Sequence, residues 1–281
     1  MGVRHYYIYI FIFNLLCCFR AEAQSVAVGL SLGVGNYSGD LTENVANVVK
    51  QSHPAGGIHL RYDFSNMISL LAQYSYLNVS ADDKLAKAQW QQDRGLNFKS
   101  VIHEFCILGQ LNIMGFFTEI PMRNNFYLTT GIGFFRFNPK ALYQGNWIEL
   151  KPLGTEGQGL AGMPDPYKLS AINLAFGFGH RYFLSSNLSI AIEYLTRQTR
   201  TDYLDDASTN YVDYETLKAQ RGEIAAELGN KIRAPHGWKR AEFNNRDWYN
   251  SLMFTVAYHF GADVSFKGIR IKKQGINCPK F

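Results

Sequence analysis

The sequence alternates between bulky apolar residues and small or polar residues in eight separate segments. In the first segment, Val26 and Val28 alternate with Ala27 and Gly29. Side chains on a β-strand point to opposite faces with a period of two, so this pattern predicts strands with one oily and one wet face. The predicted strands lie at residues 25–36, 56–64, 67–79, 97–113, 125–137, 168–182, 187–199 and 247–260.

The lengths of the strands and of their connections indicate a membrane barrel. A transmembrane strand needs about 9–11 residues, and bacterial single-chain barrels have an even number of strands. No proline lies inside a predicted strand, as ladder hydrogen bonding requires. The connections at 65–66, 114–124 and 183–186 are short, and those at 37–55, 80–96, 138–167 and 200–246 are long. Because outer-membrane barrels have short periplasmic turns and long outer loops, we predict an all-β, eight-stranded antiparallel transmembrane β-barrel with long extracellular loops.

A soluble β-sandwich or a lipocalin-like barrel is the alternative fold. It would turn the apolar face inward, and alternation alone does not determine which face is inside. The chain is 47% apolar and 15% aromatic, which suits either arrangement. Four aromatic residues near strand ends favour the membrane, since Tyr and Trp form girdles at membrane interfaces. These are Tyr37, Tyr182, Trp248 and Tyr249.

The two ends of the chain are predicted to lie outside the barrel. Residues 1–23 resemble a secretory signal, with a basic start, an apolar stretch and an Ala-Glu-Ala cleavage site. The barrel would then occupy residues 24–260. Residues 261–281 form a basic tail, and both termini would be periplasmic in an outer-membrane protein.

The tail is either a solvated basic segment or a docking segment for a periplasmic partner or for anionic headgroups. We favour docking, because an unpaired cysteine in an oxidising compartment suggests an intermolecular disulfide. Cys278 is the candidate for that bond, whereas Cys106 is predicted to face the barrel interior. The candidate docking residues are Lys267, Arg270, Lys272, Lys273 and Cys278.

The polar faces of the strands carry charges of both signs. An eight-stranded barrel is just wide enough for side chains to fill, and buried charges must be paired. We therefore predict an internal ion-pair network and no open pore. Its members are Arg61, Asp63, Glu104, Arg181, Glu193 and Arg197.

The long connections contain two predicted helices, at 42–50 with Thr42 as its cap and at 213–229 with Asp213 as its cap. The glycine-rich connection at 138–167 is predicted to form turns over the barrel mouth. Asp202, Asp205 and Asp206 lie close together but lack the pattern of a calcium loop, so turn and cap chemistry is favoured over a metal. No hydrolase, zinc or nucleotide motif occurs, and we expect no cofactor. A lipase or palmitoyl transferase of this size is conceivable, but the sequence does not supply a recognisable nucleophile, base and orienting group.

Several segments together resemble a known family. They are GNYSGDL (35–41), the stretch 137–160 with its PLGTEGQGL end, TDYLDDASTNYVD (201–213), NRDWYNSLMFTVAYHF (245–260) and the terminal NCPKF. In this combination and order, the chain resembles the PorG-like family of Bacteroidetes outer-membrane β-barrels in the type IX secretion system. The motif residues in the loops are Tyr37, Gly39, Asp40, Pro152, Gly154, Thr155, Glu156, Gly157, Asp205 and Asp206.

The resemblance implies a barrel without enzymatic activity that associates with the periplasmic ring of the lipoprotein PorK and of PorN. It would support export of cargo across the outer membrane, with outer-membrane lipids and other secretion-system barrels as further partners and no nucleic acid. Two other functions stay open at this point. One is a free-standing surface barrel for adhesion or envelope integrity, and the other is a lipid-modifying outer-membrane enzyme.

Overall fold

The computed structural model describes residues 25–42, 45–117, 122–242 and 246–260. The predicted signal, at 1–23, and the predicted tail, at 261–281, lie outside the described residues. Eight long strands form the barrel, and two short strands, β6 and β7, form a hairpin in one loop. The strands are β1 (Ser25–Ser38), β2 (His53–Asp63), β3 (Ile68–Asp82), β4 (Asn97–Asn112), β5 (Asn124–Arg136), β6 (Lys140–Tyr143), β7 (Asn146–Glu149), β8 (Ser170–Phe183), β9 (Leu188–Thr199) and β10 (Trp248–Phe260).

The eight long strands close into an antiparallel ring. Each pairs with its neighbours along the chain, and β5 pairs with β8 across the intervening hairpin. The ring closes where the first strand meets the last, with Val26 opposite Phe260 and Tyr37 opposite Tyr249. A closed ring leaves no unpaired edge among its strands, which is the condition for crossing a membrane with β-structure.

The barrel is apolar outside and polar inside. On β1 the outward residues Leu30 and Leu32 are 59% and 65% exposed, whereas the inward Ala27 is fully buried. The other barrel strands repeat this pattern, with Ile132 on β5 64% exposed and Ser75 on β3 fully buried. A soluble sandwich or lipocalin-like barrel would expose the opposite face, so the predicted eight-stranded transmembrane β-barrel is confirmed. Among the described residues, no helix is long and apolar enough to cross a membrane.

All long connections leave from one end of the barrel. They contain four short helices, which we number α1 (Val45–Lys50), α2 (Gln89–Arg94), α3 (Tyr214–Arg221) and α4 (Glu223–Gly229). The prediction of one helix at 213–229 is wrong, because Gly222, with φ of 92°, separates α3 from α4. Asp213 does cap α3, accepting a hydrogen bond from Thr216 N. The Thr42 hydroxyl oxygen accepts from Gly39 N at 3.0 Å, and α2 and the β6–β7 hairpin were not predicted.

Two of the four aromatic residues assigned to the interfacial girdle lie elsewhere. Tyr37 and Tyr249 are fully buried inside the barrel end. Odd-numbered residues of β1 and β10 point inward, because the side chains alternate and the two tyrosines share that parity with Ala27 and Met253. Tyr182 and Trp248 have the opposite orientation and are partly exposed.

Candidate functional site

The described parts of the long connections, within 39–52, 83–96, 137–169 and 200–247, fold together over one barrel end, and we call them the loop cap. Its centre is a group of three polar side chains. The Tyr37 hydroxyl donates to Asp205 Oδ2 at 2.6 Å, and its oxygen also lies 2.8 Å from Asp247 Oδ1. One hydroxyl has a single hydrogen to donate. Both contacts are therefore hydrogen bonds only if one carboxyl group carries a proton.

Asp206 connects the loop at 137–169 to this centre through hydrogen bonds. Its carboxylate accepts hydrogen bonds from the hydroxyl groups of Thr155 and Tyr167, the latter at 2.6 Å. The φ of Asp206 is 67°, a left-handed conformation that Asp adopts more readily than most residues. The motif residues Thr155 and Asp206, distant in sequence, thus meet in one buried contact.

Glu156 is the most heavily bonded carboxylate of the loop cap. It forms a buried ion pair with Arg240 at 2.8 Å. Its oxygens also accept hydrogen bonds from the backbone N–H groups of Ser208 and Thr209 and from the Thr209 hydroxyl. A buried charge is stable when paired and fully hydrogen-bonded, and Glu156 meets both conditions.

A second buried ion pair joins the β3–β4 loop to the rest of the cap. Arg94 donates from Nε and Nη2 to the two oxygens of Asp83, both at 2.8 Å. Its Nη1 donates to the backbone oxygen of Arg240, and its Nη2 also reaches the backbone oxygen of Asp40 at 3.3 Å. The Asp40 carboxylate accepts from the backbone N–H of Glu242. One arginine thereby connects three of the loops.

The motif glycines are required by close approaches and by left-handed backbone. A Cβ on Gly39 would lie 2.1 Å from the Tyr37 hydroxyl. Gly154 has φ of 56° and ends the 3-10 turn in which Pro152 occupies an early position. Gly157 has φ of 78°, and a Cβ there would contact Val212 at 3.0 Å. The PLGTEG motif therefore builds the turn that presents Thr155 and Glu156.

Burial raises the pKa values of several cap carboxyl groups. Removal from water raises the pKa of Asp205 to about 8, of Asp202 to about 7 and of Asp206 to about 6. For Asp206 the nearby Arg240 guanidinium opposes this rise in pKa. Burial and the adjacent Asp205 together hold the pKa of Asp247 well above its usual range. These raised pKa values agree with a carboxyl proton that Asp205 or Asp247 retains beside Tyr37 at neutral pH.

The barrel interior contains the charged residues that the sequence singled out. Glu104 and Arg197 form a fully buried ion pair at 3.0 Å. Glu104 also accepts hydrogen bonds from the Asn173 amide and the Tyr249 hydroxyl, both at 2.8 Å. The Tyr249 hydroxyl thereby extends this group toward the cap end of the barrel.

Nearer the short-turn end, Arg61 and Asp63 form an ion pair at 3.0 Å. Arg181 and Glu193 were also predicted to belong to an ion-pair network, but neither forms an ion pair with another described residue. Arg181 donates to Gln110 Oε1 at 2.8 Å, and Gln110 Nε2 donates to Glu193 at 3.1 Å. The amide of Gln110 separates the two charges because it offers a donor and an acceptor.

The interior around these groups is filled. A cavity of about 20 Å³ lies between them, close to the space that one water molecule needs. Cys106 is buried inside the barrel as a free cysteine. Within the described residues, no group of three His, Cys, Asp or Glu side chains is placed to hold a metal ion.

A serine and a histidine also meet inside the barrel. Ser189 Oγ lies 2.8 Å from His259 Nε2, while Arg61 Nη2 lies 3.4 Å from His259 Nδ1. Arginine can only donate, so Nδ1 accepts and the proton of a neutral ring sits on Nε2. That tautomer donates to Ser189 and is the wrong one for removing the serine proton.

Sequence reasoning missed Asp83, Arg94, Tyr167, Arg240 and Asp247 as members of the loop cap. Asp247 could have been recognised from the local sequence. It lies directly before a strand and two residues from the inward Tyr249, so its side chain is expected on the same inward side. For the others the partners come from distant loops, and the local pattern holds no comparable signal. The predicted docking residues Lys267, Arg270, Lys272, Lys273 and Cys278 lie outside the described residues.

An apolar outer belt, a filled polar interior and a folded cap of loops define the class of this protein: an eight-stranded transmembrane β-barrel of the outer-membrane type. Residues 5–227 match the family model described as "Domain of unknown function (DUF6089)". The chain belongs to that family. No curated protein matches the sequence.

Several solved structures are similar to the chain at low sequence identity. Neisserial surface protein A is 10% identical, with 85% of this chain and 100% of that chain covered and a TM-score of 0.44. Ail, the attachment invasion locus protein of Yersinia pestis, is 10% identical over the same shares, with a TM-score of 0.41. The outer membrane protein OprG from Pseudomonas aeruginosa is 11% identical over 85% and 97%, with a TM-score of 0.42.

Proposed function

We propose that the protein is a non-enzymatic outer-membrane component of the type IX secretion system, a PorG-like anchor for the periplasmic ring of PorK and PorN. The observation that carries the proposal is the ordered set of family motifs along the chain. Two of these motifs, at 35–41 and 201–213, meet in the loop cap through the hydrogen bond between Tyr37 and Asp205. The residues that carry the resemblance are therefore also neighbours in space.

The proposed orientation follows from the chain ends. β1 begins and β10 ends at the barrel end that carries the short turns. In outer-membrane barrels that end is periplasmic. The segment after Phe260 would then start on the side of the ring, and its lysine and arginine residues would supply the docking charge. The loop cap would face the outside of the cell.

The filled interior supports anchoring rather than conduction. Arg197 and Tyr249 are fully buried across the lumen, and the cavity nearby measures about 20 Å³. An ion or solute path would need a continuous wet channel. A rigid barrel with a packed lumen is suited to holding another assembly at the membrane.

Deleting residues 262–281 tests the docking. We expect PorK and PorN to be lost from a crosslinked pull-down of native outer membranes, with reduced cargo secretion, while the barrel still assembles. The matched control replaces Lys267, Lys272 and Lys273 by arginine, which keeps the charge, and should retain the ring. A Cys278→Ser variant tests the disulfide, and non-reducing gels of native membranes that show only monomer would contradict that bond.

The pull-down, together with secretion and adhesion assays in a strain that lacks the protein, separates the alternatives. Full cargo secretion in a strain that lacks the protein would reject the secretion role. Retained ring proteins after deletion of the tail would reject docking through the tail. A loss of adhesion or of envelope integrity, with secretion intact, would identify a free-standing surface barrel.

A further inference from the structure

The outward rim of the barrel at the cap end differs in charge from one side to the other. Next to the β1–β10 seam the outward rim residues are neutral, and Asn250 donates to Asn36, which in turn donates to Ser52. On the β4–β5 side the outward residues at the rim are His103 and Arg136. Within β1 and β10 themselves, none of the rim residues at the cap end is basic.

The basic residues of the β4–β6 side are neighbours across the sheet. His103 is the register partner of Arg136, and Lys99 is the register partner of Lys140. Lys99 and Lys140 carry like charges and lie opposite one another, an arrangement that destabilises a sheet. An anion held between Lys99, Arg136 and Lys140 would compensate the repulsion between these cations.

The protein itself compensates only part of this charge. Lys140 pairs with Glu149 at 3.0 Å, and both side chains remain more than 40% exposed. Lys99 lies with its Nζ 5.7 Å from the centre of the Trp147 ring. Among the described residues, none forms an ion pair or a side-chain hydrogen bond with Arg136. A cationic site with unused capacity therefore remains.

These residues line an open groove of about 850 Å³ on the outside of the barrel, between the strands and the β6–β7 hairpin. Among the described residues that line the groove none is a carboxylate, and Glu149 approaches it through its contacts with Lys140 and Asn138. The lining residues that matter here are Tyr76, Lys99, His103, Arg136, Lys140 and Trp147. Tyr and Trp are favoured at the level of lipid headgroups. The groove therefore combines positive charge with the aromatic residues typical of a membrane interface.

The groove leads directly into the lipid-facing belt. Phe105 and Phe134 lie one outward position further along β4 and β5. They are register partners and about half exposed. Ile107 and Ile132 follow at the next outward pair. A ligand with an anionic head and apolar chains fits this sequence of surfaces, because the head would reach the cations while the chains cover the belt.

We propose that this groove binds the phosphorylated headgroup of a membrane lipid, with the acyl chains lying along the outward face of β4 and β5. A phosphate offers several acceptor oxygens, and the Arg136 guanidinium can bind two of them at once. The ligand is a lipid of the membrane and not free phosphate, since the Phe105–Phe134 and Ile107–Ile132 pairs below the groove contribute contact area only to a molecule with acyl chains. The site is independent of any role in secretion.

Native mass spectrometry of the full-length protein in dodecyl maltoside tests the site. The probes are dioleoyl phosphatidic acid and dioleoyl glycerol, which share their acyl chains and differ in the phosphate. We expect preferential binding of the phosphatidic acid. In the double variant Lys99→Gln/Arg136→Gln this binding should weaken on the order of tenfold or more, given the usual contribution of each basic residue near an anionic lipid surface.

Three controls make the outcome specific. The variant Lys84→Gln/Lys87→Gln removes two exposed charges elsewhere in the loop cap and should bind as the natural protein does. Unboiled samples on gels report whether each variant keeps its barrel, and inorganic phosphate in excess should not displace the lipid. Unchanged binding in the folded groove variant, equal weakening in the control variant, or displacement by inorganic phosphate would each overturn the proposal.

Discussion

The Tyr37 hydroxyl, at the end of the first strand, lies 2.6 Å from Asp205 Oδ2 in the last long loop, 168 residues away along the chain. Asp247 reaches the same hydroxyl from the residue before the last strand. The centre of the loop cap is therefore assembled from both ends of the barrel sequence.

Tyr37→Phe should destabilise the loop cap without opening the barrel. The change removes one hydroxyl and leaves two buried carboxyl groups without their shared partner, at a cost of about 1–3 kcal/mol. Limited proteolysis of the cap loops in detergent should become faster, and the strands should stay protected. Tyr62→Phe, which removes a hydroxyl from the outward face of β2, is the matched control and should leave the digestion rate unchanged.

Cap stability should fall as the pH rises from about 4 to about 8. The folded-state pKa values of Asp205 and Asp202 are raised to about 8 and about 7, so in this range the folded cap binds more protons than the unfolded chain. The cap is then most stable at the acidic end of the window, and the loss is complete above the folded-state pKa of Asp205. Hydrogen exchange of the cap amides, measured from pH 5 to pH 8.5 and corrected for intrinsic rates, follows this change.

The variant Asp205→Asn should flatten that pH dependence, because it removes one of the two adjacent carboxyl groups whose mutual repulsion and burial keep a proton bound. Asp165→Asn, at an exposed loop position, should retain the natural profile. Cap protection that increases between pH 5 and pH 8 would contradict the assignment of a retained proton to this group.

Glu156→Gln should be far more damaging than Glu149→Gln. The first change leaves Arg240 with only the more distant Asp206 carboxylate, 3.9 Å away, and breaking one side of a buried ion pair typically costs about 3–5 kcal/mol. The second acts on the exposed pair with Lys140, where about 0–1 kcal/mol is usual. Thermal unfolding of the cap, followed by near-ultraviolet circular dichroism, compares the two variants, and equal effects would reject the buried pair as a main source of cap stability.

Ser189 should not react as a hydrolase nucleophile. Because Arg61 donates to His259 Nδ1, the ring has no free acceptor with which to take the serine proton. Incubation of the purified protein with a fluorophosphonate probe should leave Ser189 unlabelled at a pH of 7 to 8. A covalent adduct on Ser189 that disappears in a His259→Gln variant would instead support the enzymatic alternative.

The barrel was predictable from the sequence because alternation is a local property with a large physical consequence. Every outward position of β1 is apolar from Val26 to Val34, and membrane lipid selects for that regularity. Arg61 and Asp63 were recognisable as neighbours on one inward face for the same reason. The odd-numbered position of Tyr37 in β1 also indicates that its side chain points inward. Its place near a strand end had instead suggested the aromatic girdle at the membrane interface.

The loop cap could not be derived in the same way. Arg94 finds Asp83 within its own loop, but its other contacts are backbone oxygens of Asp40 and Arg240, which come from distant segments. Gln110 separates Arg181 from Glu193 because it projects between them from a third strand. Such contacts depend on how distant segments are placed in three dimensions, and they leave no periodic pattern in the sequence.

The seam between β1 and β10 has a consequence for the order of assembly. Tyr37 and Tyr249 are register partners across the seam, and Asp247 enters the cap from the same place. The first strand must wait for the last one before its tyrosine can reach both carboxyl groups. In a barrel whose β1–β10 seam is still open, Tyr37 could not contact Asp205 and Asp247 together, so the centre of the loop cap can form only after the barrel has closed.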